Sequence, residues 1–205
     1  MRIKICGLTR AEDAQAAIDA GADALGLVFY PPSPRHVELA RAARLALLAP
    51  PFVSVVGLFV NAEPSRVRET LEAVPLHLLQ FHGDEDDAYC RQFNRPYIKA
   101  ARVKPGFDLL QYALDFPAAQ AILADAFAEA YGGGGKPFDW RLIPSERPKP
   151  LVLSGGLDAA NVGEAIARVR PAAVDVSSGV ETARGIKDAA KIRAFIAAAR
   201  AAANV

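Results

Sequence analysis

The stretch Val53-Ser-Val-Val-Gly-Leu-Phe-Val60 decides the fold, because it is apolar at almost every position. Strands that are buried on both faces, as in parallel sheets, have such continuous apolar runs, whereas strands with one face in water alternate between apolar and polar residues. Seven further short runs share this character, namely Ile3–Cys6, Ala24–Phe29, Leu76–Phe81, Tyr97–Ala101, Ala121–Ala124, Leu151–Ser154 and Ala173–Val176. The sequence therefore predicts eight strands of a parallel sheet.

Longer segments rich in Ala, Arg and Glu separate these runs and predict helices, among them Ala11–Ala20, Pro64–Val74, Asn161–Arg170 and Asp188–Ala203. The predicted strand ends follow one another at intervals of 21 to 30 residues, as eight βα units require. We therefore predict an α/β fold, a single-domain (β/α)8 TIM barrel that covers residues 1–205. A doubly wound open sheet is the alternative, and the count of eight units favours the barrel.

The sixth strand is ambiguous. Pro117–Tyr131 is rich in Ala and is followed by Gly132, so helix propensity alone predicts one helix with a glycine cap. The barrel count requires instead that Ala121–Ala124 form a strand.

Composition excludes several classes of function. The 205 residues include 24 Lys and Arg and 23 Asp and Glu, so the net charge is +1. This composition lacks the excess of basic residues that binding to nucleic acid or to an anionic membrane requires. The tract from Leu45 to Val60 is interrupted by prolines and does not predict a membrane span. Two cysteines and the lack of a secretory signal favour a reducing, cytoplasmic location. No His, Cys or Asp cluster has metal-ligand spacing, so we predict no metal. No Rossmann or P-loop fingerprint is present, so no nucleotide cofactor is predicted.

Chemistry in a barrel lies where strands end. Cys6 ends the first strand and Asp125 ends the sixth. Free cysteines are often buried and inert, and a thiol with a pKa of about 8.5 needs a positive field to act as a base. Asp125 is either an acid/base group at the mouth of the barrel or an ordinary helix or capping residue.

Two loops point to an anion site. Ser154-Gly-Gly-Leu157 follows strand seven and Ser177-Ser-Gly-Val180 follows strand eight, the two positions where barrels often bind phosphate. Glycines let backbone N–H groups approach an anion, although ordinary tight turns have the same composition. We predict that Gly155, Gly156, Ser177, Ser178 and Gly179 bind a phosphate.

Three further features are less specific. Arg35, after the second strand, is either a carboxylate clamp or a solvated surface residue. His82 is better interpreted as a structural hydrogen-bonding residue than as a base. Gly132–Gly135 with Lys136 is either a connection or a mobile loop over the site.

Taken together, these segments resemble the phosphoribosylanthranilate isomerase family of tryptophan biosynthesis. The matching stretches run in family order: Lys4–Thr9, Gly21–Tyr30, Ser33–Arg35, Val56–Asn61, Leu79–Asp84, Leu123–Asp125, Gly132–Lys136, Phe138–Trp140, Leu153–Leu157 and Val174–Glu181. The resemblance implies a cofactor-free isomerase that performs an Amadori rearrangement on a phosphorylated sugar-anthranilate substrate, as a monomer or a homodimer. Gly134 and Pro137 depart from the family pattern of the glycine-rich loop.

The resemblance also implies roles for individual residues. Cys6 is the expected general base and Asp125 the expected general acid. Arg35 is expected at the anthranilate carboxylate and Asp175 near the polar centre of the substrate. Two alternatives remain open: a histidine-pathway isomerase, which would have an aspartate where this chain has Cys6, and a non-catalytic barrel that binds a phosphorylated ligand.

Overall fold

The computed structural model describes residues 1–126 and 138–203. Eight parallel strands close into a barrel in the order of the sequence, with the last strand beside the first. This confirms the predicted (β/α)8 barrel, and the open sheet is wrong. The strands are β1 (Arg2–Cys6), β2 (Ala24–Val28), β3 (Ser54–Phe59), β4 (Leu78–Phe81), β5 (Tyr97–Val103), β6 (Ala121–Ala126), β7 (Leu151–Leu153) and β8 (Ala173–Val176).

Seven helices are described around the strands, and the four predicted from the sequence are confirmed to within one residue at each end. They are α1 (Ala11–Asp19), α2 (Leu39–Ala46), α3 (Pro64–Ala73), α4 (Asp87–Arg91), α5 (Leu109–Asp115), α6 (Val162–Val169) and α7 (Ala189–Ala203). After β6, the described residues contain a short 3-10 turn at Trp140–Leu142 in place of a helix. A small antiparallel hairpin, β9 (Glu181–Ala183) and β10 (Ile186–Lys187), follows β8.

The ambiguous segment forms strand β6, so the helix favoured by propensity is wrong for its described part. Ala121 pairs with Ile98 and Asp125 pairs with Arg102 on β5, and the other edge of β6 pairs with β7. Burial on both faces explains why the strand prevails, because neighbouring residues pack into two different cores. Tertiary packing outweighs the helix propensity of the alanines.

Alternate residues of each strand face opposite ways. On β1, Ile3 and Ile5 pack outward against the helices, and this places Lys4 and Cys6 on the inner face. Inside the barrel, one apolar cluster consists of Ile98, Ala100, Ala121, Leu123 and Val152. A second cluster, which includes Cys6, lies where strands β1 to β3 end. The barrel is therefore a packed core with an opening at the carboxyl ends of its strands.

We expect adjacent residues of β6 to be equally sensitive to truncation. Ile122 packs outward and Leu123 packs inward, and both are buried. Ile122→Ala and Leu123→Ala should each lower the free energy of unfolding by about 2–5 kcal/mol, because each leaves a cavity in a different core. Urea denaturation measures this. Leu114→Ala on α5, where the side chain is 59% exposed, is the control and should have little effect. A large loss for only one of the two strand variants would contradict burial on both faces.

Candidate active site

A cleft opens at the carboxyl ends of the strands. It brings together eight of the nine site residues predicted from the sequence, which come from β1, β6, β8 and three loops: Cys6, Arg35, Asp125, Gly155, Gly156, Asp175, Ser177 and Ser178. Gly179 is the exception, because it does not line this cleft. His82 and Ser154 also contribute to the lining.

Cys6 ends β1 on its inner face and is only 5% exposed. Lys4, two residues earlier on the same face, donates a hydrogen bond from Nζ to Oδ1 of Asp175 at 3.0 Å. Gly26 on β2 makes room for both side chains, since a Cβ there would lie 2.8 Å from the sulfur of Cys6 and 3.1 Å from Cε of Lys4. The thiol and the ammonium thus share one buried space.

Burial raises the pKa of the Cys6 thiol above its ordinary value, and the ammonium groups of Lys4 and Lys187 oppose that rise. Burial also works to lower the pKa of Lys4, but the charges of Asp175 and Cys6 outweigh it and hold that pKa above its ordinary value. Lys4 therefore stays charged beside a thiol whose anion it stabilises.

Asp125 approaches the cleft from β6, across the mouth from Cys6. Its Oδ1 accepts a hydrogen bond from the N–H of Ala126 at 2.9 Å, and its Oδ2 lies 3.1 Å from Nε2 of His82. The other ring nitrogen of His82, Nδ1, lies 3.0 Å from Nε2 of Gln80. The three side chains form a buried hydrogen-bonded row that ends at the carboxyl group.

Arg35 is buried, so its interpretation as a solvated surface residue is wrong. Its Nε and Nη2 donate to the two carboxylate oxygens of Glu181, each at 2.8 Å. Glu181 also accepts a hydrogen bond from Lys187 at 2.8 Å. Although burial works to raise it, the hydrogen bonds from Arg35 and the charge of Lys187 hold the pKa of Glu181 below its usual value. Within the described part of the chain, Nη1 of Arg35 is left without a hydrogen bond.

Glycines set the path of the two loops that were predicted to bind phosphate. Gly155 has φ +83°, and a Cβ there would lie 2.5 Å from the backbone nitrogen of Ala126 and 2.9 Å from Oδ1 of Asp125. Only glycine lets the loop after β7 pass so close to that carboxyl group. A Cβ on Gly179 would lie 1.9 Å from the carbonyl oxygen of Leu157, so Gly179 lets the two loops touch.

One wall of the cleft is apolar. Val28, Leu58, Val60 and Tyr30 pack with Cys6 into a separate cluster, and all of them line the cleft. A cleft with both an apolar wall and charged groups suits a ligand that carries both an apolar ring and anionic groups.

Sequence reasoning gave no function to Lys4, Gln80, Glu181 or Lys187, although all four are buried at the site. Lys4 and Gln80 could have been identified from the sequence, because each is a polar or charged residue inside an otherwise apolar strand. The sequence carries no comparable signal for Glu181, because its partner Arg35 lies 146 positions earlier, or for Lys187, which reaches the site through Glu181.

The segment Gly132–Gly135 with Lys136 lies outside the described residues. Among residues 1–126 and 138–203, no group of three His, Cys, Asp or Glu side chains is placed to hold a metal ion. No helix in those two ranges is long and apolar enough to cross a membrane.

Comparisons with known proteins agree on one family. A profile described as N-(5'phosphoribosyl)anthranilate (PRA) isomerase matches residues 3–198. The N-(5'-phosphoribosyl)anthranilate isomerase of Dechloromonas aromatica (strain RCB) is 65% identical over 201 residues, which are 98% of this chain and 97% of the relative.

Solved structures give the same result. The phosphoribosyl anthranilate isomerase of Thermotoga maritima superposes with a TM-score of 0.91 at 45% identity and covers 98% of this chain and 99% of its own. A phosphoribosyl anthranilate isomerase in complex with reduced 1-(o-carboxyphenylamino)-1-deoxyribulose 5-phosphate gives a TM-score of 0.88 at 42% identity, with the same coverage of both chains. On these matches across nearly its whole length, the chain belongs to the N-(5'-phosphoribosyl)anthranilate isomerase family.

Proposed function

We propose that this chain catalyses the Amadori rearrangement of N-(5-phosphoribosyl)anthranilate to 1-(2-carboxyphenylamino)-1-deoxy-D-ribulose 5-phosphate in tryptophan biosynthesis. One observation carries the proposal: a thiol, Cys6, and a carboxyl group, Asp125, line the same cleft from opposite sides of the barrel. An aldose-to-ketose rearrangement needs a proton donor at one atom of the sugar and a proton acceptor at another. Membership of the isomerase family supports the same reaction.

The charges of the cleft suit an anionic substrate. The cations Lys4, Arg35 and Lys187 face two carboxylates, Asp175 and Glu181, so this buried cluster has an excess positive charge. We assign the anthranilate carboxylate to Nη1 of Arg35, because Glu181 occupies the other edge of the guanidinium group.

The positions of the aromatic ring, the phosphate and the sugar follow from this placement of the carboxylate. The aromatic ring lies against the apolar wall formed by Val28, Leu58, Val60 and Tyr30. The phosphate lies at the loops after β7 and β8, with Gly155, Gly156, Ser177 and Ser178 at the lining and Gly179 behind them. Asp175, which is held by Lys4, faces the sugar.

The chemistry uses Asp125 first. In its protonated form, Asp125 gives a proton to the furanose ring oxygen, the bond from that oxygen to C1′ breaks, and the ring opens to a Schiff base. The Cys6 thiolate then removes the proton from C2′, and the resulting enolamine tautomerises to the ketone. Each proton transfer contributes about 10²–10⁴-fold to the rate, and the anchors at both ends of the substrate supply orientation.

We propose that the enzyme works as a monomer or a homodimer. We also propose that residues 1–205 form one domain, because the strands close into one barrel. The two free cysteines favour a cytoplasmic location.

Loss of either proton-transfer group should abolish turnover and spare binding. Cys6→Ser and Asp125→Asn should each lower kcat by about 10²–10⁴-fold, because a hydroxyl is a poor base and an amide is no acid. The assay follows the fluorescence of freshly generated substrate, and product affinity is measured by calorimetry. Cys90→Ala is the control, since Cys90 is a buried thiol on α4 outside the cleft. Unchanged turnover in either site variant would remove that residue from the mechanism.

We expect the thiolate fraction of Cys6 to rise with pH at neutral and mildly alkaline values. Because burial raises the pKa of Cys6, this fraction is small there and grows about tenfold per pH unit. Lys4→Met should lower kcat/KM near neutral pH by about tenfold and move the rise of the thiolate fraction to higher pH, since an opposing cation is lost.

Lys99→Met is the matched control for Lys4→Met. Lys99 is also buried and ion-paired, with Glu85 at 3.0 Å, but it does not line the cleft. Ultraviolet absorbance of the thiolate gives the same titration without turnover. Equal pH profiles for wild type and Lys4→Met would contradict the assigned effect of Lys4.

Truncation of Arg35 should mainly weaken binding of the substrate and product. Arg35→Ala should weaken product affinity by about 1.5–3 kcal/mol, the usual contribution of a hydrogen bond to a charged group. Arg35→Lys keeps the charge beside Glu181 and separates loss of the ligand contact from loss of that pair. Arg44→Ala, an exposed position on α2, is the control. An unaltered product affinity in both Arg35 variants would place the anthranilate carboxylate elsewhere.

A further inference from the structure

We propose that His82 is a positioning residue for Asp125, and that Gln80 holds the His82 ring in the neutral tautomer with its proton on Nε2. This inference rests on the proposed function of Asp125 as the proton donor. It assigns a function to two buried polar residues that the mechanism above does not use.

The three side chains belong to two strands. Gln80 lies on β4 and His82 follows the end of that strand two positions later, so both face the interior. Both are buried, and the row continues to Asp125 at the end of β6. The distances of 3.0 Å from Gln80 to Nδ1 and 3.1 Å from Nε2 to Asp125 are those of hydrogen bonds.

The orientation of the Gln80 amide determines where the proton of His82 lies. Oε1 of Gln80 is buried and has no hydrogen-bond partner among the described residues. Turning the amide around would put the NH2 group in that position and leave two buried donors unpaired. An unpaired buried donor is rarer in proteins than an under-satisfied carbonyl oxygen, so the NH2 group faces His82.

With the NH2 group directed at it, Nδ1 must accept the hydrogen bond. The ring proton then lies on Nε2, which donates to Oδ2 of Asp125. An imidazolium ring would direct a second N–H at the Gln80 NH2 group, and two donors would face each other. Gln80 therefore disfavours the charged form of His82.

The charge of His82 matters for the reaction. An imidazolium ion next to Asp125 would hold it as a carboxylate, because an opposite charge at hydrogen-bond distance favours ionisation. A neutral ring orients the carboxyl group and leaves it able to take up the proton that the reaction needs. Among the described residues, the other titratable or charged groups around the pair are Cys6 on β1, Tyr30 and Arg35 after β2, Arg102 on β5, which pairs with Asp84, and Asp175 on β8.

Nitrogen NMR of the imidazole rings tests the tautomer directly. The chain has three histidines, and His77 is an internal reference because its Nδ1 accepts a hydrogen bond from the N–H of Val55 at 2.9 Å. His82, assigned by its missing signal in His82→Gln, should show the neutral Nε2–H form in the wild-type enzyme. In Gln80→Glu, a carboxylate faces Nδ1, and the signal of His82 should become that of an imidazolium ion. An Nδ1–H or charged ring in wild type, or an unchanged ring in Gln80→Glu, would overturn the proposal.

Kinetics of two His82 variants test the effect on Asp125. His82→Gln keeps an uncharged N–H donor close to the position of Nε2 and should retain most of kcat. His82→Leu removes the donor and should lower kcat by about tenfold or more with KM little changed. Circular dichroism and product affinity confirm that each variant is folded. Equal losses in the two variants, or no loss in His82→Leu, would contradict a positioning function.

Gln80→Met and Gln80→Glu complete the series. Gln80→Met frees the ring and should lower kcat more at acidic pH than at neutral pH, whereas Gln80→Glu should lower it throughout. The same loss at all pH values for Gln80→Met would overturn the proposal. If the wild-type chain shows the neutral Nε2–H ring but no isomerase activity, the proposed function is wrong. The hydrogen bonds from Gln80 to His82 and from His82 to Asp125 would still be supported.

Discussion

The ion pair between Lys4 and Asp175 is the contact on which the rest of the site depends. The two residues are directly opposite in register on β1 and β8, the strands whose pairing closes the barrel. Removing two charges from water is costly, and the cost is offset only when the partners stay together. The strand pairing that closes the barrel therefore also brings these two charges together, and the thiol of Cys6 lies beside them on the same face of β1.

Further charges extend this arrangement toward the rim of the cleft. Lys187 on β10 contacts Glu181 on β9, and Glu181 holds Arg35 from the loop after β2. Each of these five buried charges, Lys4, Asp175, Lys187, Glu181 and Arg35, has at least one partner of opposite sign, which is what a buried charge needs to be tolerated. The small hairpin after β8 is therefore part of the site, since it carries the carboxylate that orients the arginine.

Much of the fold could be predicted from the sequence because strands buried on both faces have a plain signal. Strand β6 shows the limit, since alanines in Ala121–Ala126 favour a helix locally and only the count of repeats predicts a strand. Site residues at strand ends, such as Cys6 and Asp125, could be predicted once those ends were known. The partners Glu181 and Gln80 could not, because a side chain that orients another is defined by contact in three dimensions.

The passage of the loop after β7 beside Asp125 has a consequence for redesign. Gly155 leaves room for a hydrogen atom and nothing larger between that loop and the carboxyl group. The loop proposed to hold the phosphate of the substrate and the carboxyl group proposed to donate the proton are therefore packed directly against one another. An engineer who wishes to convert this barrel to a sugar without a phosphate cannot exchange the loop as a module, and has to rebuild the position of Asp125 together with it.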